Sequence, residues 1–451
     1  MSAPLAPEEV VRMLVDAARR AGADAADALA SDSDGLEVGV RMGEPEKLRR
    51  ARERRAGLRV FVGGATAIVS SGELGAEALR HLAEDACALA RVTAPDPHGG
   101  LPDPAHLATS VPDLGLCDPA WERLDPDEGF RMAEAAERAA LDADPAITNS
   151  EGAEFGAGGG TVAYASTHGF AGSYASSFFS LSVVPVATQN GGMQRDSWWT
   201  SDRWLARLDS PEAVGREAAR RAARRLGARR IPTGVYPVVF DPLTAASLVR
   251  HVAGAIAGPA LHRRTSFLLG RLGEPIASPL VTIVDDPERP GGPASKPFDG
   301  EGVATRRRTI VDRGVLASYL LDSYSARRLG LQTTGHASRA VGDAPGVAPT
   351  NFALEPGAVS PEELVASVGR GLYVTELIGF GVNLVTGDYS RGAAGFWIEG
   401  GELAHPVEEI TIAGNLATML SGVSAVANDL DRRRAIASPT LRVDGLTVAG
   451  T

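Results

Sequence analysis

The sequence predicts an α+β fold: an N-terminal α+β domain over residues 1–230, then a strand-rich, mostly antiparallel domain over 231–451 that curves toward a barrel. Three observations point there. The first 230 residues mix amphipathic helical runs with alternating strand runs. Beyond residue 266 short strands follow one another, separated by hairpin glycines and interrupted by few helices. Ile231–Gly234, placed after an arginine-rich run, reads as the hinge between the two.

The totals set outer bounds. A chain of 451 residues can bury a substantial core in two or three domains. Its 44% hydrophobic and 22% charged content are ordinary for a globular protein. A net charge of -11 argues against nucleic acid as a main partner, since phosphate binding needs a basic surface. Cys87 and Cys117 make neither a disulfide framework nor a zinc quartet. No apolar run approaches the roughly 20 residues that span a bilayer, and the opening MSAPLAPEEVV has acids where a signal peptide needs lysines. A soluble, cytoplasmic protein without membrane contact is expected.

In chain order, Pro7 starts a helix with Glu8 and Glu9 in its first turn, Val10, Val11 and Leu14 on one face, and Gly22 as its stop. Leu36–Arg41 alternates as a strand; the charged Lys47–Arg55 fits a helix or an exposed strand equally. Leu58–Ser70 is a hairpin about Gly63-Gly64, and Ala76–Ala90 an amphipathic helix. Ala94–Pro104 is a Pro/Gly linker and Asp125–Ala143 a further helix. Thr148–Val186 reads as strands, with Gly156–Gly160 as a hairpin turn; no GK[ST] or helix follows, so these glycines make no phosphate loop. Met193–Trp204 reads as a loop carrying Trp198, Trp199 and Trp204 beside charged residues. It either wedges aromatics into a domain junction or offers interface anchors to a partner. Ser210-Pro211 then caps a helix to Leu226.

The second half opens with a strand, Val235–Phe240, feeding a helix capped by Asp241-Pro242 and ended by Gly258-Pro259. Such an element often mounts metal ligands, because two histidines one turn apart on one face can grip one ion. This helix carries His251, yet Ala255 lies four residues on and His262 lies beyond the break. It has the setting of a metal site without the ligands. Ser166, His168 and Asp196 supply the residue types of a nucleophilic triad, but no GxSxG elbow accompanies them. Later strands include Thr305–Asp312, Val315–Leu321, Leu372–Ile378, Gly392–Glu399 and Val407–Ala413, with short helices at Ser323–Leu329 and Ser360–Gly369.

Four blocks carry a resemblance: SEGAEFGAGGGTVAYASTHGFAGSYASSFFSLSV (Ser150–Val183), DDPERPGGPASKPFDGEGVATRRRTIVDRGVL (Asp285–Leu316), YLLDSYSARRLG (Tyr319–Gly330) and GFGVNLVTGDYSRGAAGFWIEGGELAHPVEEITIAGNL (Gly379–Leu416). In this order they resemble the TldD/PmbA family over nearly the whole chain. The resemblance implies a peptidase built as a heterodimer, in which a TldD-type subunit carries HExxxH on the helix after the opening strand, with a downstream cysteine completing the zinc site. Here Arg250, His251 and Ala255 stand where His, Glu and His would, and no cysteine follows Cys117. The chain therefore resembles the TldE (PmbA) side. That implies no catalytic residue, metal or cofactor of its own, zinc and general base in a TldD-type HExxxH partner, and unfolded or small peptides as substrates. Gly379, Gly381, Asn383, Thr386, Asp388, Tyr389 and Arg391 are candidates for the substrate groove, or else simply close hairpins. A homodimeric binding or scaffold protein, and a subunit of a pair dedicated to natural-product biosynthesis, fit the missing ligands equally well.

Overall fold

The computed structural model describes residues 5–451. Its first half begins with α1 (Pro7–Arg20), where the Glu9 carboxylate accepts from the Ala6 N–H at the helix start. Strands β1 (Ala25–Arg41), β2 (Glu44–Val62) and β3 (Ala65–Ser71) and helix α2 (Ala76–Arg91) follow. After a crossing segment come α3 (Pro126–Ala143), β4 (Ile147–Ser166), β5 (Ala171–Gln189), β6 (Gly192–Arg195), β7 (Trp198–Asp202) and α4 (Pro211–Ala223). The strands form one antiparallel sheet in the order β3-β2-β1-β4-β5-β6, with β7 also on β5, curled as a half-barrel.

One face of that sheet carries the helices. Ala26, Ala28 and Ala30 of β1 pack with Leu58 and Val60 under α1 and α2. Leu36, Val38 and Val40 pack with Phe155, Phe179 and Leu181 under α3 and α4. Strand periodicity turns the intervening residues Asp27, Leu29, Ser31, Ser33, Gly35 and Glu37 to the opposite face.

Two expectations are corrected here. Gly156–Gly160 is not a hairpin turn but lies inside β4, paired on both sides with β1 and β5. The strands run so close that a side chain at Gly160 would sit 2.3 Å from the Asp32 carbonyl, which explains the glycine. Met193–Trp204 is not a loop but mostly the strands β6 and β7. The ambiguous Lys47–Arg55 is the exposed part of β2. There a cross-strand ladder pairs Lys47 with Glu37 (3.2 Å), Arg50 with Asp34 (3.4 Å) and Arg52 with Asp32 (3.1 Å).

The second half contains β8 (Gly234–Phe240), α5 (Pro242–Ala255), α6 (Gly258–His262), β9 (Ile283–Asp285), β10 (Arg308–Asp312), β11 (Val315–Leu316) and α7 (Ser323–Leu329). It continues through β12 (Ala337–Ser338), β13 (Gly346–Val347), β14 (Phe352–Leu354), α8 (Pro361–Ala366), β15 (Arg370–Ile378), β16 (Asp388–Glu399) and β17 (Glu402–Asn415). Last come α9 (Leu416–Ser421), β18 (Val423–Val426), β19 (Ile436–Ala437) and β20 (Leu441–Ala449). Strands β17-β16-β15-β8-β20 close into a five-stranded barrel through pairing of Thr411–Ala413 with Thr447–Ala449. Its pairings are antiparallel except between β8 and β15, so the strand-rich, curved second half predicted above is what forms.

Helix α5 is placed by chemistry local to its start. The Asp241 carboxylate accepts from the Thr244 N–H at 2.9 Å, and Pro242 supplies a preset helical φ. Leu248, Val249 and Val252 then pack with Val238, Ile283, Leu354, Leu416 and Val443, joining the barrel to the sheet β11-β10-β9-β14-β19.

The two halves meet at a buried polar cluster. Arg59 donates to both oxygens of Asp27 (3.0 and 2.6 Å) and to Glu301 (3.1 Å). Arg339 and the Tyr164 hydroxyl also donate to Asp27, at 3.1 and 3.2 Å. Asp27 and Glu301 have no exposed surface, so these charges are stable only as a matched set.

Candidate functional site

The three α5 residues singled out in the sequence have definite surroundings. Arg250 is exposed, His251 half-buried and Ala255 fully buried. The His251 ring meets Tyr389 of β16 edge-on, with centroids 6.2 Å apart. Burial, then the positive charges of Arg391 and Arg250, push the His251 imidazole down to about 4. Its Nε2 has no partner, nor has the Tyr389 hydroxyl. Burial raises the Tyr389 phenol. The fold thus brings His251, Tyr389 and Arg391 together from distant parts of the chain.

This group does not fit zinc. Ala255 has no donor atom, the Arg250 guanidinium has no lone pair, and His251 is the one imidazole on the helix. Among the described residues no three His, Cys, Asp or Glu side chains gather closely enough to hold a metal ion.

The other groove candidates occupy the turn from Gly379 to Asp388. Asn383 Oδ1 accepts from the Val385 N–H (2.9 Å), Thr386 donates to Asp388 (2.6 Å), and Asn415 donates to the Thr386 carbonyl (2.9 Å). These side chains spend their polar atoms on the hairpin itself. Arg391 donates to the Leu377 carbonyl at 3.1 Å and holds the end of β15. Gly379 has φ +80°, and a side chain at Gly381 would strike the Ser390 carbonyl at 2.1 Å. Phe380, between them, is fully exposed.

The three tryptophans are half-buried against their own chain. Trp198 and Trp199 pack at 5.2 Å with Arg433 over both rings, and Arg434 lies 3.9 Å above Trp199. Trp204 donates to the Gly115 carbonyl at 3.1 Å. The triad types do not assemble: His168 bonds the Pro102 carbonyl (2.9 Å), and Asp196 faces Arg221 (3.4 Å).

The sheet face opposite the helices bears a trough that sequence reasoning missed. Two clefts, of about 380 and 360 Å³, share Ser31, Glu53 and Val162 and run along β1, β2, β4 and β5. Gly156, Gly158 and Gly160 alternate along β4 on this face, opposite Glu37, Gly35 and Ser33; the Phe178 ring lies over Gly158, and Gly160 lines the first cleft. That every-second-residue spacing was the available signal.

Comparison with known proteins agrees over the whole length. Residues 26–90, 119–226 and 233–450 match the PmbA/TldA metallopeptidase domain 1, central domain and C-terminal domain. The chain is 40% identical over 427 residues to the metalloprotease PmbA of Escherichia coli O157:H7, covering 95% of this chain and 92% of that protein. A crystal structure from Bacteroides thetaiotaomicron, described as a candidate modulator of DNA gyrase, superposes with a TM-score of 0.90 at 30% identity over 98% of this chain and 99% of that one. TldE from Thermococcus kodakarensis shares the fold, with a TM-score of 0.88 at 20% identity over 97% and 99%.

Proposed function

The chain belongs to the PmbA/TldD metallopeptidase family, and from that membership we propose that it is the TldE/PmbA-type subunit that binds no metal itself. Its role is to wall and shape the substrate chamber of a heterodimer with a TldD-type HExxxH subunit. What supports this reading is α5: a capped, well-packed helix on which Arg250, His251 and Ala255 offer no metal-ligand set. In the partner, zinc would polarise the scissile carbonyl and a glutamate would serve as base.

This chain's own part is binding and exclusion. The half-barrel trough accepts an extended peptide rather than a folded domain. Arg250 and Arg391 put positive charge around His251, where a metal cation would be repelled. Neither nucleic acid nor a membrane is a partner on this reading, and the compartment is the cytoplasm. Among the described residues no helix is long and apolar enough to cross a membrane.

Co-expression with an HExxxH-bearing TldD-type subunit tests the proposal. The expected result is co-elution on size-exclusion chromatography and peptide cleavage by the pair but not by this chain alone. Separate elution, or chelator-sensitive cleavage by this chain alone, contradicts it.

A further inference from the structure

The inner end of the trough combines a cavity with spare hydrogen-bond donors. Leu29, Val162, Tyr174, Phe298 and Val341 line its apolar walls, and Lys296, Asp299 and Arg339 its end. The trough stops here, because the segment after β12 crosses β2: a side chain at Gly57 would lie 2.5 Å from the Gly342 nitrogen.

The buried acceptors in this wall are filled, and the exposed Glu53 on its rim pairs with Arg55 at 3.4 Å. Asp27 takes Arg59, Arg339 and Tyr164; Glu301 takes Arg59 and the Ser323 N–H (2.9 Å). Asp299 takes the N–H groups of Glu301 (2.8 Å), Val303 (3.0 Å) and Ala337 (2.9 Å). Donors are left over. The Arg339 side chain is 3% exposed, yet only its Nη1 is engaged; Nε and Nη2 have no partner. The Lys296 ammonium, with three N–H bonds, donates to the Ala337 carbonyl at 3.1 Å. Burial and then Glu301 raise Asp299, while burial lowers Lys296 and the nearby Asp299 and Asp285 partly offset that.

We infer that the inner end of the trough is a subsite for the terminal carboxylate of an extended peptide, held by the Lys296 ammonium with the buried Arg339 lending positive charge behind it, and with an apolar C-terminal side chain against Phe298 and Tyr174. A closed end suits a chain terminus better than a mid-chain acid. The inference rests on the proposed peptide ligand, but not on the metal-free reading or on the heterodimer.

The test uses the full chain alone and N-terminally labelled pentapeptides in fluorescence anisotropy: one ending in leucine with a free carboxylate, its C-terminal amide, and an amide carrying a penultimate glutamate. The free acid should bind about tenfold or more tighter than either amide. Lys296→Met should remove that preference, bringing the affinity for the free acid down to that for the amides. Ser31→Phe, which fills the trough upstream, should weaken all three, and it serves equally if the Lys296 variant fails to fold. Equal binding of acid and amide, equal binding of the glutamate amide, or no binding of any peptide overturns the inference. None of these outcomes depends on zinc or on a partner, so failure here is distinct from failure of the proposed function.

Discussion

His251 shows how burial and neighbouring charge set the state of one side chain. An imidazole that served as a metal ligand or base would need an accessible nitrogen and a partner to orient it. This one is held edge-on to Tyr389, with its Nε2 unpartnered and cations as neighbours. Its pKa of about 4 lies below the ordinary 6.5 of the unfolded chain. Between those values the unfolded state binds a proton that the folded state refuses. The stabilising contribution is therefore complete above about 6.5 and is lost as pH falls toward 4. Replacement by phenylalanine, which keeps the ring contact, should flatten the melting temperature against pH across that window relative to the parent. Parallel profiles for the two proteins would show that His251 is not the titrating group. The sequence placed His251 on the helix correctly, but its meeting with Tyr389, 138 positions away, is a tertiary fact that no local pattern carries.

At the scale of elements, legibility followed how local the cause was. The helices headed by Pro7, Asp241-Pro242 and Ser210-Pro211 were readable because caps and proline act within one turn. Lys47–Arg55 was ambiguous because its charges are matched by Asp32, Asp34 and Glu37 on another strand. Gly156–Gly160 was misread because glycine marks turns when only its backbone freedom is considered. Here it answers to the close approach of β1 and the curl of the sheet. The tryptophan segment was misread for a related reason: β7 is a strand because it pairs with β5, and its rings are covered by Arg433 and Arg434 from the far end of the chain. Arg433 also donates to the Trp199 carbonyl (3.1 Å) and to Asp431 (2.8 Å). Arg433→Ala should therefore cost about 1–3 kcal/mol and red-shift tryptophan emission, measured by denaturant titration followed by fluorescence. An unchanged midpoint and spectrum would mean that these rings are not held by the second half.

Across the whole molecule, apolar cores in both halves and a buried charge cluster make one frame. The barrel and its helix α5 form one apolar core, and the half-barrel keeps its own cores under α1–α2 and α3–α4. Asp27, Arg59, Glu301 and Arg339 fix one half against the other. The general architecture was legible in composition and strand spacing. The trough was not, because it exists only once β1, β2, β4 and β5 curl together. On the proposed reading this frame supplies surfaces that hold a peptide and leaves the metal to a partner. Zinc quantification of the purified full chain, alone and then in complex with a TldD-type subunit, tests that division of labour most directly. The account predicts no stoichiometric zinc in the chain alone and one zinc per complex. One tightly held zinc in the isolated chain would contradict it.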